Sequence, residues 1–564
     1  MEKDSLETNT FPLSTLPCTT SSGILASTVI KEPDLVTIIE GLPLTKEQIE
    51  EEQDLLEEAE DECEPNENTP LIRSNETFEK SGSSFFTHNS KSFTTTFTTS
   101  QTSLFIPSFQ FSLYSSVVSI SRSLNQRSVA ISIPDRSGQN GESSKSKSTT
   151  VTLFEKLSED GQASTILALW NIVNMILASS SVVAMPYAVS LGGFAALFLI
   201  LAIGFFDDIT SVLLVDCLYE ISPKSRLRKR VRASFAEIAA DVWGPMGGRL
   251  VDFITVGLSY CCCVLMVMMM GSSMMDLFSN LVVLSIQEWC LLCALAMLPT
   301  VFIKRLSIMA WLSMLAVLAV FIIVFILLGF YLGGSNSWAV QNIPSFNLNK
   351  FPISLGIILF SYCGHTVFPG IEGSMQEPKK YKKVSHGAFS SVTTIKFLVG
   401  LFGCLTFGSS TQSIAILNLS SSHGSILSKI ATFLVIVNVY FSYPLNMFVV
   451  GGTLDIVLLP KFPIFYKDKR YNYLWVLATR TTLVLSTLGI ALAVPHFGLL
   501  MSIFGSLFGA CITLIFPCLF HLQLKWNKLR WCSKVLEMFI VLFGIGAGIL
   551  GLIYSSIALK DALN

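Results

Sequence analysis

Uncharged apolar runs close to 20 residues long recur along the chain from about residue 160 onwards. A helix needs about 20 such residues to cross roughly 30 Å of hydrocarbon. Charged residues make up only 14% of the chain, whereas a soluble globular protein carries about 25%. The runs therefore predict an all-α, multi-pass integral membrane protein.

About eleven transmembrane helices are predicted. They cover residues 166–189, 191–215, 250–275, 281–302, 307–332, 351–375, 384–408, 425–450, 474–494, 497–520 and 535–557. Lys and Arg cluster in alternate loops, for example in residues 224–230 and 379–383, whereas the opposite loops hold almost none, with Lys350 as the exception. Because basic loops stay in the cytosol, this alternation predicts that the N-terminus is cytosolic.

The chain is predicted to have two parts, a cytosolic tail over residues 1–155 and a transmembrane domain over residues 156–564. Ser and Thr dominate residues 81–150, and residues 40–67 are strongly acidic. Such compositions bury too little apolar surface to fold. We therefore expect the tail to be disordered.

Two short pieces of the tail resemble acidic dileucine sorting signals, in which an acidic residue stands four positions before a Leu-Leu or Leu-Ile pair. Their residues are Glu51, Leu55 and Leu56, and Glu67, Leu71 and Ile72. Clathrin adaptors read such signals, so an adaptor is a predicted partner. The signals act as an address and contribute nothing to the fold.

The first and sixth predicted spans each carry a small polar run followed by proline, at Pro186 and Pro369. Proline lacks an N–H donor and clashes with the preceding turn, so both helices are predicted to break in mid-membrane. Broken helices five spans apart indicate a transporter built from two inverted five-helix repeats, with the substrate at the breaks. Two kinked helices with packing serines are the alternative.

Polar side chains near these breaks are the candidate substrate-binding residues. They are Asn171, Asn174, Ser179, Ser180, Ser181, Tyr362, Gly364, Thr366 and, on the eighth span, Asn438. Half-helix N-termini suit a carboxylate and exposed carbonyl groups suit an ammonium, so a zwitterionic amino acid fits such a site. In the eighth span a kink at Pro444 is the simpler explanation of the polar residues.

Three ionisable residues inside spans are candidates for proton coupling, because intramembrane charges usually serve a function. His365 titrates near neutral pH when unperturbed, although a hydrogen-bonded packing role fits it equally well. Glu372 follows on the same span, either in the cavity or as a cap near its cytosolic mouth. Asp207 adjoins Asp208, and only one of the two can face a given side.

The sequence also bears on enzyme activity, partners and glycosylation. No nucleophile–base pair, metal cluster or phosphate loop is recognisable, so no enzyme activity, metal or cofactor is expected. A formal net charge of -2 gives no reason to expect a nucleic-acid partner. Asn418 begins a glycosylation sequon in a predicted lumenal loop. We expect membrane lipid to surround the transmembrane domain.

Three patches, residues 350–362, 368–378 and 494–501, resemble the amino acid/auxin permease family, which includes vesicular carriers of inhibitory amino acids. Residues 364–369 are more similar to the fungal vacuolar amino acid transporters of that family. The resemblance implies a LeuT-like core and loading of vesicles by the proton gradient. The sequence departs from the family pattern at Ser179–Ser181, where the family usually has glycines, so the resemblance does not identify the substrate.

The predicted function is therefore proton-coupled antiport of a neutral amino acid, such as GABA or glycine, into acidic vesicles or vacuoles. A lysosomal or vacuolar exporter is an alternative, because the gradients decide the direction. A sensor or scaffold with a vestigial cavity and a signalling tail is a third possibility. Deletion of the tail distinguishes a transporter from a sensor or scaffold, because a transporter would keep its flux and lose only its sorting to the correct membrane.

Overall fold

The structure is a computed structural model. It describes residues 38–39, 42–43, 163–177, 179–221, 228–302, 306–338, 341, 343, 346–423, 426–458, 461–462 and 469–564. The chain divides into two units, Met1–Thr96 and Phe97–Asn564. In the first unit, strands β1 (Ile38–Ile39) and β2 (Leu42–Pro43) form an antiparallel pair. The rest of the predicted tail, with both sorting signals, lies outside the described residues.

The described part of the second unit is mainly helical, with one short hairpin. Its helices are α1 (Thr165–Leu177), α2 (Ser179–Val183), α3 (Met185–Asp216), α4 (Phe235–Leu277), α5 (Ile286–Val301), α6 (Leu306–Gly333), α7 (Phe351–Ser361), α8 (Phe368–Gly373), α9 (Tyr381–Phe407), α10 (Ala415–His423), α11 (Ile426–Leu458), α12 (Lys469–Ala493), α13 (Phe497–Phe504), α14 (Phe516–Lys525) and α15 (Trp531–Leu563). The hairpin pairs strands β3 (Tyr219–Ile221) and β4 (Arg228–Arg230).

The helices match the predicted membrane spans. Within the described residues, eight helical segments are long and apolar enough to cross a membrane, and α1, α5 and α7 are shorter apolar helices. Each of the predicted spans coincides with one helix or with consecutive helical pieces. The prediction of an all-α, multi-pass membrane protein is confirmed, and about eleven spans fits the structure.

The first predicted span consists of α1, α2 and the beginning of α3. Pro186 stands in the first turn of α3, where a helix does not use the N–H that proline lacks. At Gly193 the backbone adopts φ 61° and ψ -146°, so α3 is two helices joined by a kink. Glycine tolerates this left-handed φ, and the kink separates the first span from the second.

The sixth span is interrupted more widely. Helix α7 ends at Ser361, α8 begins at Phe368, and residues 362–367 between them are not helical. Pro369 stands in the first turn of α8. The predicted breaks in the first and sixth spans are therefore confirmed, and both prolines begin the second half-helix instead of kinking the first.

Helix α4 extends before the predicted third span. It starts at Phe235, because Ser234 caps it by accepting the Glu237 N–H at 3.2 Å. At Gly244, with φ 72°, the backbone is not helical, so α4 is two helices joined by a kink, and the second of them contains the predicted span. The first turns carry charged residues, so a search for apolar runs overlooks them.

The tenth span is α13 and α14 joined by two π-helical turns, Gly505–Gly509 and Cys511–Ile515. Such wide turns are rare and occur frequently at functional sites. Thr513 in the second turn is completely buried.

Candidate functional site

The two interruptions face each other. Helix α1 packs against α8, and α2 packs against α7. A Cβ atom added to Gly364 would lie 3.1 Å from the ring of Phe368 and 3.6 Å from the side chain of Ile176, the next-to-last residue of α1. Gly364 therefore marks the point where the sixth span meets the first.

Polar groups of the first interruption turn towards the protein interior. Asn171, Ser180 and Ser181 are buried, and Asn174 is half-buried. The Ser181 hydroxyl donates a hydrogen bond to the Ile176 carbonyl oxygen at 3.2 Å. A side chain thus satisfies a carbonyl near the end of α1, as interrupted helices require. The Ser179 side chain lies outside the described residues.

The sixth interruption is held by side chains from two neighbouring helices. The Tyr362 hydroxyl donates to the Ile200 carbonyl oxygen of α3, and the Thr393 hydroxyl of α9 lies at the same distance, 3.1 Å. His365 Nε2 lies 2.9 Å from the hydroxyl of Thr210 on α3. Tyr362 and His365 are completely buried, whereas Thr366 is half-buried.

Asp207 and Asp208 face different partners. Asp207 is completely buried, and neither of its carboxylate oxygens has a hydrogen-bond partner among the described residues. Asp208 accepts a hydrogen bond from Ser385 at 2.8 Å and pairs with His386, both on α9. Only Asp207 therefore belongs to the buried cluster at the interruption.

Lys396 of α9 supplies the cation of this cluster. It is completely buried, and its ammonium group donates to the carbonyl oxygen of Ser361, the last residue of α7. The same nitrogen lies 3.9 Å from the centroid of the Tyr362 ring, a favourable cation–π position. The charges of Lys396 and Asp207 are close enough to interact.

Glu372 lies apart from this cluster, at the end of the molecule that carries the basic loops. The Tyr219 hydroxyl donates to one carboxylate oxygen, and Arg230 Nη1 lies 3.5 Å from the other. Arg230 also donates to the Pro369 carbonyl oxygen at 2.8 Å. Burial raises the pKa of Tyr219 and the Glu372 carboxylate raises it further, so the hydroxyl stays a donor at physiological pH.

The β3–β4 hairpin thus clamps the half-helix α8. A second link lies on the same side, where the Ala163 N–H donates to the Ser374 carbonyl oxygen at 2.9 Å and the Gln376 N–H donates to the Ala163 carbonyl oxygen at 3.0 Å. These bonds tie the segment before α1 to the segment after α8. The half-helices of the first and sixth spans at this end form one connected unit.

Two residues predicted from the sequence lie away from the interruptions. The Asn438 side chain of α11 donates to the Ala316 carbonyl oxygen of α6 at 2.7 Å and joins two helices. Asn418 is buried in α10, accepts the Gln412 N–H at 2.8 Å and donates to the Ser410 carbonyl oxygen at 3.1 Å. This packing predicts that Asn418 carries no glycan in the folded protein.

A polar cavity of about 390 Å³ opens at the end opposite the basic loops. Its lining includes Tyr187, Ser190, Asn347, Lys350 and Thr411. Tyr187 and Ser190 belong to the first span beyond its interruption. The cavity therefore adjoins the half of the first span that leads towards the buried cluster.

The sequence prediction missed Lys396, Thr210 and Thr393, and the hairpin residues Arg230 and Tyr219. Lys396 has a recognisable signal, because it is the one Lys or Arg inside the predicted span 384–408 and such residues are usually functional. The hydroxyls of Thr210 and Thr393 have none, because threonine is common in membrane helices.

Comparisons with known proteins find a matching family and several similar chains. The family of transmembrane amino acid transporter proteins matches residues 161–558. The human vesicular inhibitory amino acid transporter is 32% identical over 403 residues, 70% of this chain and 75% of its own. The Arabidopsis thaliana amino acid transporter AVT1C is 29% identical over 385 residues, 67% of this chain and 66% of its own. The inward-facing structure of Mhp1 is similar with a TM-score of 0.44 and 14% identity, covering 72% of this chain and 91% of Mhp1.

Proposed function

The chain belongs to the family of transmembrane amino acid transporter proteins, and on that premise we propose that it exchanges protons for small neutral amino acids across the membrane of an acidic vesicle or vacuole. GABA and glycine are the first candidates, since a similar protein is named a vesicular inhibitory amino acid transporter. The plant relative AVT1C is named an amino acid transporter as well.

One observation carries the proposal, namely that the interruptions of two spans face each other at Gly364. An interrupted helix exposes free N–H groups at one half-helix and free carbonyl groups at the other. Paired in mid-membrane, these ends suit the carboxylate and the ammonium of an amino acid. Asn171, Asn174 and the serines before Pro186 supply further polar groups on the side of the first span.

Proton coupling is supported by ionisable side chains in the same region. Asp207 is buried on α3, which packs against the helix of Lys396, and His365 lies in the interruption itself. Of the two roles predicted for His365, its bond to Thr210 favours positioning. Glu372 lies with Arg230 and Tyr219, an arrangement that favours a cap over a proton carrier.

The basic loops support an orientation with the N-terminus and the β3–β4 hairpin in the cytosol. The 390 Å³ cavity then faces the lumen, next to Tyr187 and Lys350. A substrate released to the lumen would leave through it. Clathrin adaptors would read the dileucine signals of the tail and place the protein in endosomal or vesicular membranes.

A flux assay tests the proposal. The purified protein is reconstituted into proteoliposomes with an acid interior and given a panel of labelled amino acids, with GABA and glycine first. We expect uptake of a subset of neutral amino acids that stops when the pH gradient is dissipated. A requirement for sodium, or no uptake of any amino acid by folded protein, would overturn the proposed function.

A further inference from the structure

Lys396 occupies the free end of a half-helix. The last carbonyl groups of a helix have no partner within it, and they form the negative end of the helix dipole. Ser361 is the last residue of α7, and its carbonyl oxygen accepts from the Lys396 ammonium. In the proposed function, a free carbonyl group of this type binds the ammonium group of an amino acid substrate.

Asp207 is a carboxylate without hydrogen bonds. It is completely buried on α3, the helix that packs against α9. The Thr513 hydroxyl in the π-helical turn of the tenth span lies beside it but outside hydrogen-bonding geometry. An unsatisfied buried carboxylate is costly, and protonation removes that cost. Asp207 is therefore a ready proton acceptor on the helix that packs against the helix of Lys396.

Few other ionisable groups face Lys396. Tyr362 and Cys363 of the interruption and Asp207 of α3 are the titratable side chains that act on it among the described residues. Helix α1 also packs against α9 and contains no titratable residue. Asp207 is the one carboxylate among these three groups, so we take it as the acceptor of a proton that leaves Lys396 within this cluster.

We propose that Lys396 is a tethered competitor of the substrate's amino group, and that Asp207 takes the proton that Lys396 gives up. This inference rests on the proposed function. The incoming ammonium displaces Lys396 from the Ser361 carbonyl; one N–H bond of Lys396 breaks and one O–H bond forms on Asp207. Asp207 then releases this proton to the side from which the substrate came. After substrate release into the acid lumen, a proton from that side returns to Lys396, so one proton leaves for each amino acid that enters.

Four variants in proteoliposomes test the competition, with labelled GABA or glycine as the probe. Two assays are compared: exchange of labelled for unlabelled substrate at equal pH, and accumulation driven by an acid interior. Lys396→Met removes the competitor and the proton, so exchange persists while accumulation falls about tenfold or more. Lys396→Arg keeps a permanent cation on the carbonyl, so the half-saturation concentration for exchange rises about tenfold.

Asp207→Asn removes the proton acceptor and leaves Lys396 charged, so it also weakens substrate binding in the exchange assay. The double variant Lys396→Met/Asp207→Asn regains the binding of Lys396→Met, because no competitor remains. The double variant has no unpaired buried charge. It can therefore test the inference even if one of the single variants fails to fold. Lys429→Met, an exposed lysine on α11, is the matched control and retains both activities.

Accumulation by folded Lys396→Met or by the double variant would overturn the inference. So would a double variant that binds as weakly as Asp207→Asn, because Asp207 would then contact the substrate itself. Loss of exchange in folded Lys396→Met would mean that Lys396 holds the substrate instead of competing with it. If the wild-type protein fails both assays with every amino acid of the panel, the proposed function falls instead.

Discussion

His365 and Thr210 join the interruption of the sixth span to α3, with 2.9 Å between the imidazole Nε2 and the threonine hydroxyl. Both residues are completely buried. Residues 362–367 have only turn-type backbone hydrogen bonds, such as the Val367 N–H to the Gly364 carbonyl oxygen at 3.2 Å, so side-chain contacts of this kind help to set the shape of the break. We therefore expect His365 to act by position.

His365→Gln should preserve transport and its pH dependence, because the glutamine amide can replace Nε2 in the bond to Thr210. Thr210→Val should reduce flux, since it leaves the imidazole unpaired at a cost of about 1–3 kcal/mol. Initial uptake rates over a pH series measure both effects. A flattened pH profile in His365→Gln would assign the coupled proton to the imidazole instead.

Gly364 should not tolerate a side chain. A Cβ there lies 3.1 Å from the Phe368 ring, so Gly364→Ala must displace that ring by a few tenths of an ångström. We expect Gly364→Ala to lower flux several-fold and Gly364→Leu to abolish it, with unchanged amounts of protein in the membrane. Gly489→Ala on α12 is the control, because its Cβ meets nothing within 4 Å. Full flux in Gly364→Leu would show that Gly364 does not belong to the substrate site.

Arg230 should stabilise the half-helix α8 through Glu372 and the Pro369 carbonyl. Its ion pair with a buried carboxylate and its hydrogen bond to a carbonyl oxygen predict that Arg230→Ala lowers the free energy of unfolding by about 2 kcal/mol. Adding Glu372→Gln should recover part of the loss, because no unpaired buried carboxylate remains. Thermal unfolding in detergent measures the four members of this cycle. Additive effects of the two substitutions would show that the pair is not coupled.

Asn418 should carry no N-linked glycan, although it begins a sequon. Its side-chain amide is bonded to Gln412 and Ser410, and Ser420 is bonded to Asp276. Treatment with a glycosidase is therefore expected to leave the electrophoretic mobility of the protein from eukaryotic cells unchanged. A shift that disappears in Asn418→Gln would contradict this packing.

The main features of the fold could be predicted because they depend on local patterns. Apolar runs of membrane-spanning length predict the helices, and a polar run before proline predicts the two breaks. The start of α4 at Phe235 could not be found in this way, because its first turns are polar and it is defined by the Ser234 cap. A cap is a contact between two particular residues and leaves no trace in hydropathy.

The site was harder to predict, because its members come from distant parts of the sequence. Lys396 reaches Ser361 only because α9 lies beside the end of α7. Asn438 has the polar character of a binding residue, yet it bonds to Ala316. Residue type alone cannot distinguish these cases, since the difference lies in which helix is packed opposite.

The most direct test of the central claim is a cryo-EM map of the purified protein with a saturating amount of the amino acid that it transports. We expect substrate density between the interruptions of the first and sixth spans, with the amino group near the carbonyl of Ser361. Continuous helices through residues 362–367, or substrate density elsewhere in a protein active in flux assays, would contradict it.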